Sequence, residues 1–169
     1  VLLPDGRQVK AKALGANYGR DASIAKIVDE GEFPFVDVGD SRSLELDQWC
    51  ISLGHAAGFQ RDRTAPIRLG RILGKNLIGF LSTDCTLIGG DSGGPLFDLD
   101  GKLIGIHSNI GMSLSENHHV PIVVFTKDWD RMLKGERWGR LMGAQGPQDP
   151  NRPMLGVQPS GATDGGVKV

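Results

Sequence analysis

The amino-acid sequence predicts an all-β fold that carries one helix near its C-terminal end. Glycine supplies 25 of the 169 residues, about 15% against a usual value of about 7%. The apolar segments are short, and clusters of turn residues separate them. None of these segments approaches the length of about 20 residues that a membrane helix needs. Short apolar segments between glycine-rich turns are typical of sandwiches and barrels.

Two aspartate–glycine turns predict hairpins. Asp5-Gly6 interrupts an apolar segment at 1–14, and Asp100-Gly101 separates the segments 95–97 and 102–107. Asp-Gly is a strong hairpin signal because both residues tolerate a left-handed backbone. The other predicted strands are 23–28, 48–53, 67–73, 77–82 and 120–125, with a turn at 74–76.

One segment predicts a helix. Thr126 can cap its N-terminus, and Trp129, Met132 and Leu133 share one helical face. Gly135 then ends the helix. The next segment, 141–153, contains three prolines and two glycines without periodicity, which predicts a linker. A new apolar start follows at 154.

The charge balance argues against one class of partner. The 19 Lys and Arg side chains and 20 Asp and Glu side chains give a formal net charge of −1. General binding to nucleic-acid phosphates needs clustered positive charge, so we expect no nucleic-acid partner. Cys50 and Cys85 allow either a disulfide or two buried thiols. Two buried thiols are favoured because no dense cysteine framework is present.

The chemistry is expected at Gly89-Gly90-Asp91-Ser92-Gly93-Gly94-Pro95-Leu96. A flexible surface turn is one interpretation, but the run is short and apolar segments bound it on both sides. The other is a nucleophilic serine on a tight turn, whose N–H groups point into one concavity where an oxyanion would lie. Gly90 and Ser92 would supply the main donors, with the Asp91 N–H nearby.

The hexapeptide at 90–95 resembles the nucleophile motif of chymotrypsin-like serine proteases. Shorter strings resemble, in order, the HtrA/Deg branch of that superfamily, and they lie at 3–7, 21–27, 38–41, 49–54, 83–84, 100–106 and 120–122. The resemblance implies a double β-barrel whose N-terminal barrel is incomplete. It assigns 1–45 to a remnant of that barrel, 46–140 to the second barrel and helix, 141–153 to a linker, and 154–169 to the first strand of a PDZ domain.

The resemblance also implies site residues. Ser92 matches the nucleophile and Asp21 the triad acid, which orients a histidine and stabilises its imidazolium form. The superfamily order is His, Asp, Ser. All four histidines, His55, His107, His118 and His119, follow Asp21. We therefore expect the triad histidine upstream of Val1, and this polypeptide alone to be inactive.

The same resemblance places the substrate pocket. Its walls would be Leu87, Ile88, Ile106, His107 and Ser108. No acid stands among them, so a preference for Lys or Arg is not implied. The resemblance to HtrA proteins implies small or medium aliphatic side chains at the cleaved position. His107 replaces the asparagine typical of the family. The adjacent pair His118 and His119 is not expected to chelate a metal, because neighbouring residues of a strand point apart.

Asp91 is a second departure, because HtrA proteins usually have asparagine before the serine. A buried carboxylate without a partner is costly, so we expect a local donor or solvent to satisfy it.

The function implied is a serine endopeptidase that cleaves unfolded or damaged proteins through an acyl-enzyme on Ser92. The alternative is a pseudoprotease that binds peptides without cutting them. No cofactor or metal is expected. The partners implied are polypeptide substrates and, by resemblance, two further copies in a homotrimer. Resemblance also favours an extracytoplasmic location such as the periplasm.

Overall fold

The fold combines a hairpin, a closed barrel and one helix. The computed structural model describes residues 1–3, 5–59, 63–111, 113 and 116–140, and the backbone of two short strands beyond them. The elements in chain order are β1 (Ala11–Asn17), β2 (Ala22–Ile27), β3 (Trp49–Leu53), β4 (Ile67–Lys75), β5 (Leu81–Thr83), β6 (Pro95–Phe97), β7 (Leu103–Ile110), β8 (Asn117–Pro121), α1 (Ile122–Leu133), β9 (Arg137–Trp138), β10 (Ala162–Thr163) and β11 (Gly166–Val167).

Six strands close into an antiparallel barrel in the order β3-β4-β5-β8-β7-β6. The closing pair is β3 with β6, where Ser52 stands opposite Leu96. The interior holds Cys50, Ile72, Leu81, Cys85, Leu96 and Ile104, each at most 2% exposed. The two thiols are free, and their sulfur atoms lie 3.8 Å apart. The predicted all-β fold with one helix is confirmed within the described residues.

A second layer lies beside the barrel. Strand β1 pairs with β2 in an antiparallel hairpin and with β9 in a parallel pair. Helix α1 packs on this layer through Val124 and Met132, which share a buried cluster with Ala22 and Phe80. Strand and helix approach closely at Gly15, because a Cβ there would lie 2.7 Å from the Met132 carbonyl. Only glycine fits this contact without a shift of the backbone.

The helix begins five residues earlier than the sequence predicts, with Pro121 and not Thr126 at the N-cap position. The run 120–125 predicts a strand because it is apolar and rich in β-branched residues. The strand instead ends at Pro121, and Ile122 begins the helix. The hydroxyl of Ser41 accepts the Val123 N–H at 3.1 Å, so the first turn is capped from a distant loop. Thr126, the predicted cap, donates its hydroxyl to the Val123 carbonyl instead.

Three further predictions meet different outcomes. The turn predicted at 74–76 lies later, because β4 continues to Lys75 and Asn76 Oδ1 accepts the N–H groups of Ile78 and Phe80. Strand β9 was not predicted. The linker at 141–153 and the apolar start at 154–157 lie outside the described residues. The assignment of 154–169 to the first strand of a PDZ domain stays a prediction, and within that range the structure describes the backbone of β10 and β11, which pair with each other. No helix among the described residues is long and apolar enough to cross a bilayer.

Candidate active site

Ser92 lies on a glycine turn that leads into β6. Gly90 has a φ of +103° and Gly93 a φ of +87°, both in the region that favours glycine. A Cβ on Gly90 would lie 2.5 Å from the Gly58 nitrogen and 2.7 Å from the Ala57 nitrogen. The Ala57 N–H donates to the Gly89 carbonyl at 2.6 Å. The turn is therefore held against a neighbouring loop that leaves no room for a side chain at Gly90.

The backbone N–H groups on either side of Asp91 have no acceptor among the described residues. The Gly93 N–H donates to the His107 carbonyl at 2.9 Å, and the Gly94 N–H donates to the Asp91 carbonyl at 2.9 Å. Among the described residues, neither the Gly90 N–H nor the Ser92 N–H has an acceptor. The Asp91 N–H, expected nearby as a third donor, instead closes the turn by donating to the Ile88 carbonyl at 3.0 Å. It is therefore not free to bind an oxyanion.

The Asp91 side chain points inward and is paired. The residue is 1% exposed, and its Oδ2 atom accepts the Ile88 N–H at 2.8 Å. The same oxygen lies 2.9 Å from Nη1 of Arg68 on β4. The expectation of a local donor is confirmed. Arg68 itself was not foreseen, because a cross-barrel partner 23 positions earlier has no local sequence signal.

Ser108 on β7 connects Asp21 with Ser92. The Ser108 hydroxyl donates to Asp21 Oδ2 at 2.5 Å, and the Ser92 hydroxyl donates to the Ser108 carbonyl at 3.1 Å. Asp21 has a left-handed backbone (φ 50°, ψ 44°) between a 3₁₀ turn at Tyr18–Arg20 and β2. The structure thus brings the two predicted catalytic residues to one place, 71 positions apart in the sequence.

Asp21 and Ser92 line a cavity of about 820 Å³ between the barrel, the hairpin and the helix. Its walls are largely apolar, with Val38, Leu103, Ile106, Ile122 and Phe125 among them. In the described part of the chain, neither Asp21 nor the Ser92 hydroxyl has a hydrogen bond to an imidazole. The two residues predicted as acid and nucleophile therefore line one cavity, and neither is bonded to an imidazole among the described residues.

Two histidines form a buried chain beneath the nucleophile turn. His107 Nε2 lies 3.0 Å from the Leu53 carbonyl, which only accepts, so Nε2 carries the proton. His107 Nδ1 then accepts from His119 Nδ1–H at 2.9 Å. His119 Nε2 accepts from the Thr83 hydroxyl at 2.8 Å. Both rings are neutral in this arrangement and all four nitrogens are used.

Burial makes both rings weak bases. It lowers the pKa of His107 to about 4, against an ordinary value of 6.5. It lowers the pKa of His119 to about 3, and the neighbouring His107 and His118 add to this. His107 also lines the cavity, but a ring with both nitrogens bonded and a depressed pKa is poorly suited to accept the serine proton.

The structure separates the five predicted pocket residues. Ile106 and His107 line the cavity beside Ser92. Leu87 is buried, and its N–H donates to the Asn117 side chain at 2.7 Å. Ile88 is half exposed, and the Ser108 side chain turns to Asp21. Within the described ranges, no three His, Cys, Asp or Glu side chains are grouped to hold a metal ion.

Comparisons with known proteins agree with this arrangement. Residues 1–106 match the profile of the family described as "Trypsin-like peptidase domain". A "Probable periplasmic serine endoprotease DegP-like" protein of Halomonas elongata is 39% identical over 113 residues, and one of Marinomonas sp. is 40% identical over 113 residues. Each match covers 65% of this chain and 24% of the relative. The chain therefore spans about a quarter of the length of these relatives.

Solved structures give the same result. The structure described as "HtrA-type protease AlgW with decapeptide" has a TM-score of 0.70 and 25% identity, and covers 80% of this chain and 44% of its own. The one described as "HtrA-type protease AlgW with tripeptide" has a TM-score of 0.68 and 24% identity, and covers 79% and 46%. The resemblance predicted from residues 90–95 and the shorter strings is confirmed.

Proposed function

Because this chain belongs to the trypsin-like peptidase domain family, we propose that it is the core of a serine endopeptidase in which Ser92 is the nucleophile. The observation that carries the proposal is the turn itself. Two N–H groups, those of Gly90 and Ser92, have no acceptor among the described residues and flank a serine hydroxyl at the edge of a cavity. Each such donor contributes about 3–4 kcal/mol to binding an oxyanion in the transition state.

The proposed reaction proceeds through an acyl-enzyme. Ser92 Oγ attacks the substrate carbonyl as its proton passes to an imidazole, and the two N–H groups bind the oxyanion. The C–N bond then breaks and the imidazolium gives its proton to the leaving amine. Water, deprotonated by the same imidazole, attacks the ester; the C–O bond to Ser92 breaks, the imidazolium returns its proton to Ser92 Oγ, and the carboxylic acid product leaves. Asp21 would hold that imidazole in the required tautomer, with Ser108 fixing the carboxylate.

The imidazole is proposed to come from residues that precede Val1 in the whole protein, because the family order is His, Asp, Ser. Asp21 and Ser92 line the same cavity of about 820 Å³, which supports placing the imidazole there. The substrates proposed are unfolded or damaged polypeptides. Support comes from relatives named serine endoproteases and from neighbours described with a tripeptide and a decapeptide.

The apolar side chain of Ile106 at the cavity supports small or medium aliphatic residues at the cleaved position. Relatives named periplasmic support a location outside the cytoplasm. A homotrimer is proposed on the likeness to HtrA proteins alone, and light scattering of the purified whole protein tests it.

A peptide-binding pseudoprotease is the second candidate. One observation favours it: the Ser92 hydroxyl donates to the Ser108 carbonyl, with no imidazole bonded to it among the described residues. Covalent labelling of the whole protein with a fluorophosphonate separates the two candidates. The endopeptidase should be labelled and cleave casein, and Ser92→Ala should lose both. A protein that binds casein-derived peptides but shows no labelling would be the pseudoprotease.

A further inference from the structure

The turn that carries Ser92 contains a buried charge at its centre. Asp91 is 1% exposed and stands between Gly90 and Ser92, whose N–H groups have no acceptor in the part of the chain that the structure describes. Its carboxylate is buried, and Asp91 is not among the residues that line the cavity. The Arg68 side chain is 18% exposed and places Nη1 2.9 Å from Asp91 Oδ2. A loop that was merely exposed to solvent would need neither a buried carboxylate nor a cation to pair with it.

The barrel holds this carboxylate from three directions. Arg68 belongs to β4, which pairs with β3 and β5 and not with the strand that follows the turn. The Ile88 N–H binds Oδ2 from the start of the turn at 2.8 Å. The third side is the backbone of Gly54, just after β3. It packs against the carboxylate so closely that a Cβ on Gly54 would lie 2.8 Å from Asp91 Cγ. Among the described residues, Oδ1 has no hydrogen-bond partner, and Nη1 of Arg68 lies 2.9 Å from Oδ2 without forming a hydrogen bond, so the attraction of opposite charges holds the pair.

A buried carboxylate that loses its cation cannot remain where it is without a large cost. It can escape by turning outward to water. Asp91 is flanked directly by Gly90 and Ser92, so such a rotation would re-aim the peptide planes whose N–H groups face the cavity. The backbone of Gly90 has no freedom to compensate, since the loop at 55–58 packs against it.

We propose that Arg68 is a positioning residue for the oxyanion-binding turn: by pairing with Asp91 across the barrel, it keeps the Gly90 and Ser92 N–H groups aimed at the substrate carbonyl. The catalytic meaning of this role rests on the proposed peptidase function. The conformational role does not, because the pair and the turn are features of the fold.

A double-mutant cycle in the whole protein tests the inference. The variants are Arg68→Gln, Asp91→Asn and the combination of both. Asn keeps the size of Asp91 and one acceptor oxygen, but it carries no charge to be paired. Arg42→Gln is the matched control, because Arg42 forms an exposed pair with Asp40 remote from the turn. The readouts are the rate of fluorophosphonate labelling, the melting temperature, and the NMR chemical shifts and exchange rates of the Gly90 and Ser92 amides.

Arg68→Gln should slow labelling at least about tenfold, lower the melting temperature by about 10 °C and shift both amides. Asp91→Asn and the double variant should label within about threefold of the parent protein, with amides near their original positions. Arg42→Gln should change none of these. Rescue by removal of the carboxylate is the result that a simple loss of packing would not give.

The inference is overturned if the double variant is as impaired as Arg68→Gln, or if Arg68→Gln leaves both amides and the labelling rate unchanged. If Arg68→Gln does not fold, a folded double variant with parental amide shifts supports the inference, and an unfolded one overturns it. If no protein labels, the parent included, the proposed function fails, and the amide shifts of the same four variants still decide the role of Arg68.

Discussion

The Ser108 hydroxyl donates a 2.5 Å hydrogen bond to the Asp21 carboxylate, joining residues that lie 87 positions apart. One residue belongs to the barrel and the other to the hairpin beside it. The backbone carbonyl of Ser108 also receives the Ser92 hydroxyl at 3.1 Å. A single residue of β7 thus fixes the position of the Asp21 carboxylate relative to the Ser92 hydroxyl.

Replacing Ser108 with alanine should separate these two contacts, because the carbonyl remains and the hydroxyl is lost. We expect the labelling rate of the whole protein to fall about threefold to tenfold, since a freed carboxylate orients its base less well. The free energy of unfolding should fall by only about 1 kcal/mol, as the contact is exposed. Ser43→Ala, which removes an exposed hydroxyl that donates to the Asp40 carbonyl, is the control. Equal labelling rates in both variants would argue against this role of Ser108.

The buried histidine pair predicts acid sensitivity. The folded-state pKa values of His107 and His119, about 4 and about 3, lie below the ordinary value of 6.5. Between pH 6.5 and 4 the unfolded chain therefore binds protons that the folded chain does not, and stability falls as the pH falls. His107 alone should cost about 3 kcal/mol over this range.

Urea unfolding at a series of pH values measures that dependence. His107→Asn should reduce the slope markedly, and it introduces the residue that the HtrA resemblance leads one to expect. His118→Gln, a substitution at the histidine whose ring contacts the Asn109 side chain, should retain the full slope. A parent protein equally stable at pH 6.5 and pH 4 would contradict a neutral, buried pair.

The close packing at Gly90 predicts that alanine is not tolerated there. Gly90→Ala should lower the labelling rate more than about tenfold and destabilise the fold by about 2–4 kcal/mol, because a Cβ would lie 2.5 Å from the Gly58 nitrogen. Gly101→Ala is the control that measures the cost of a side chain on a left-handed backbone without a steric clash. Gly101 also has a positive φ, of +77°, but its Cβ would meet nothing within 4 Å. That variant should lose only about 1 kcal/mol and keep its labelling rate.

The start of helix α1 offers a direct choice between two capping residues. Ser41→Ala should cost about 1 kcal/mol, since the buried hydroxyl accepts the Val123 N–H. Thr126→Ala should cost less than about 0.5 kcal/mol, because Thr126 lies inside the helix and caps nothing. Thermal unfolding of the two variants measures the difference. A larger loss for Thr126→Ala would favour a helix that starts where the local sequence places it.

The turns could be predicted from the sequence because residues adjacent in the chain determine them. The Asp-Gly turn before β7 and the glycine turn around Ser92 are local signals, and both are present in the structure. The predicted start of α1 was wrong because Ile122 and Val123 have strand propensities. The residue that caps the helix, Ser41, lies 82 positions before Val123 and gives no local signal. The partner of Asp91 was missed for the same reason. Contacts across a barrel depend on strand order and register, which single-sequence patterns do not encode.

The parallel pairing of β1 with β9 has a consequence for the order in which the protein is made. Ala16 pairs with Arg137, so the hairpin that carries Asp21 is completed by a strand synthesised after the whole barrel and helix. On a ribosome, the barrel with Ser92 can close while the hairpin still lacks this partner and the helix beneath it. The hairpin that places Asp21 beside Ser108 therefore gains its last strand partner only after every residue of the barrel has been synthesised.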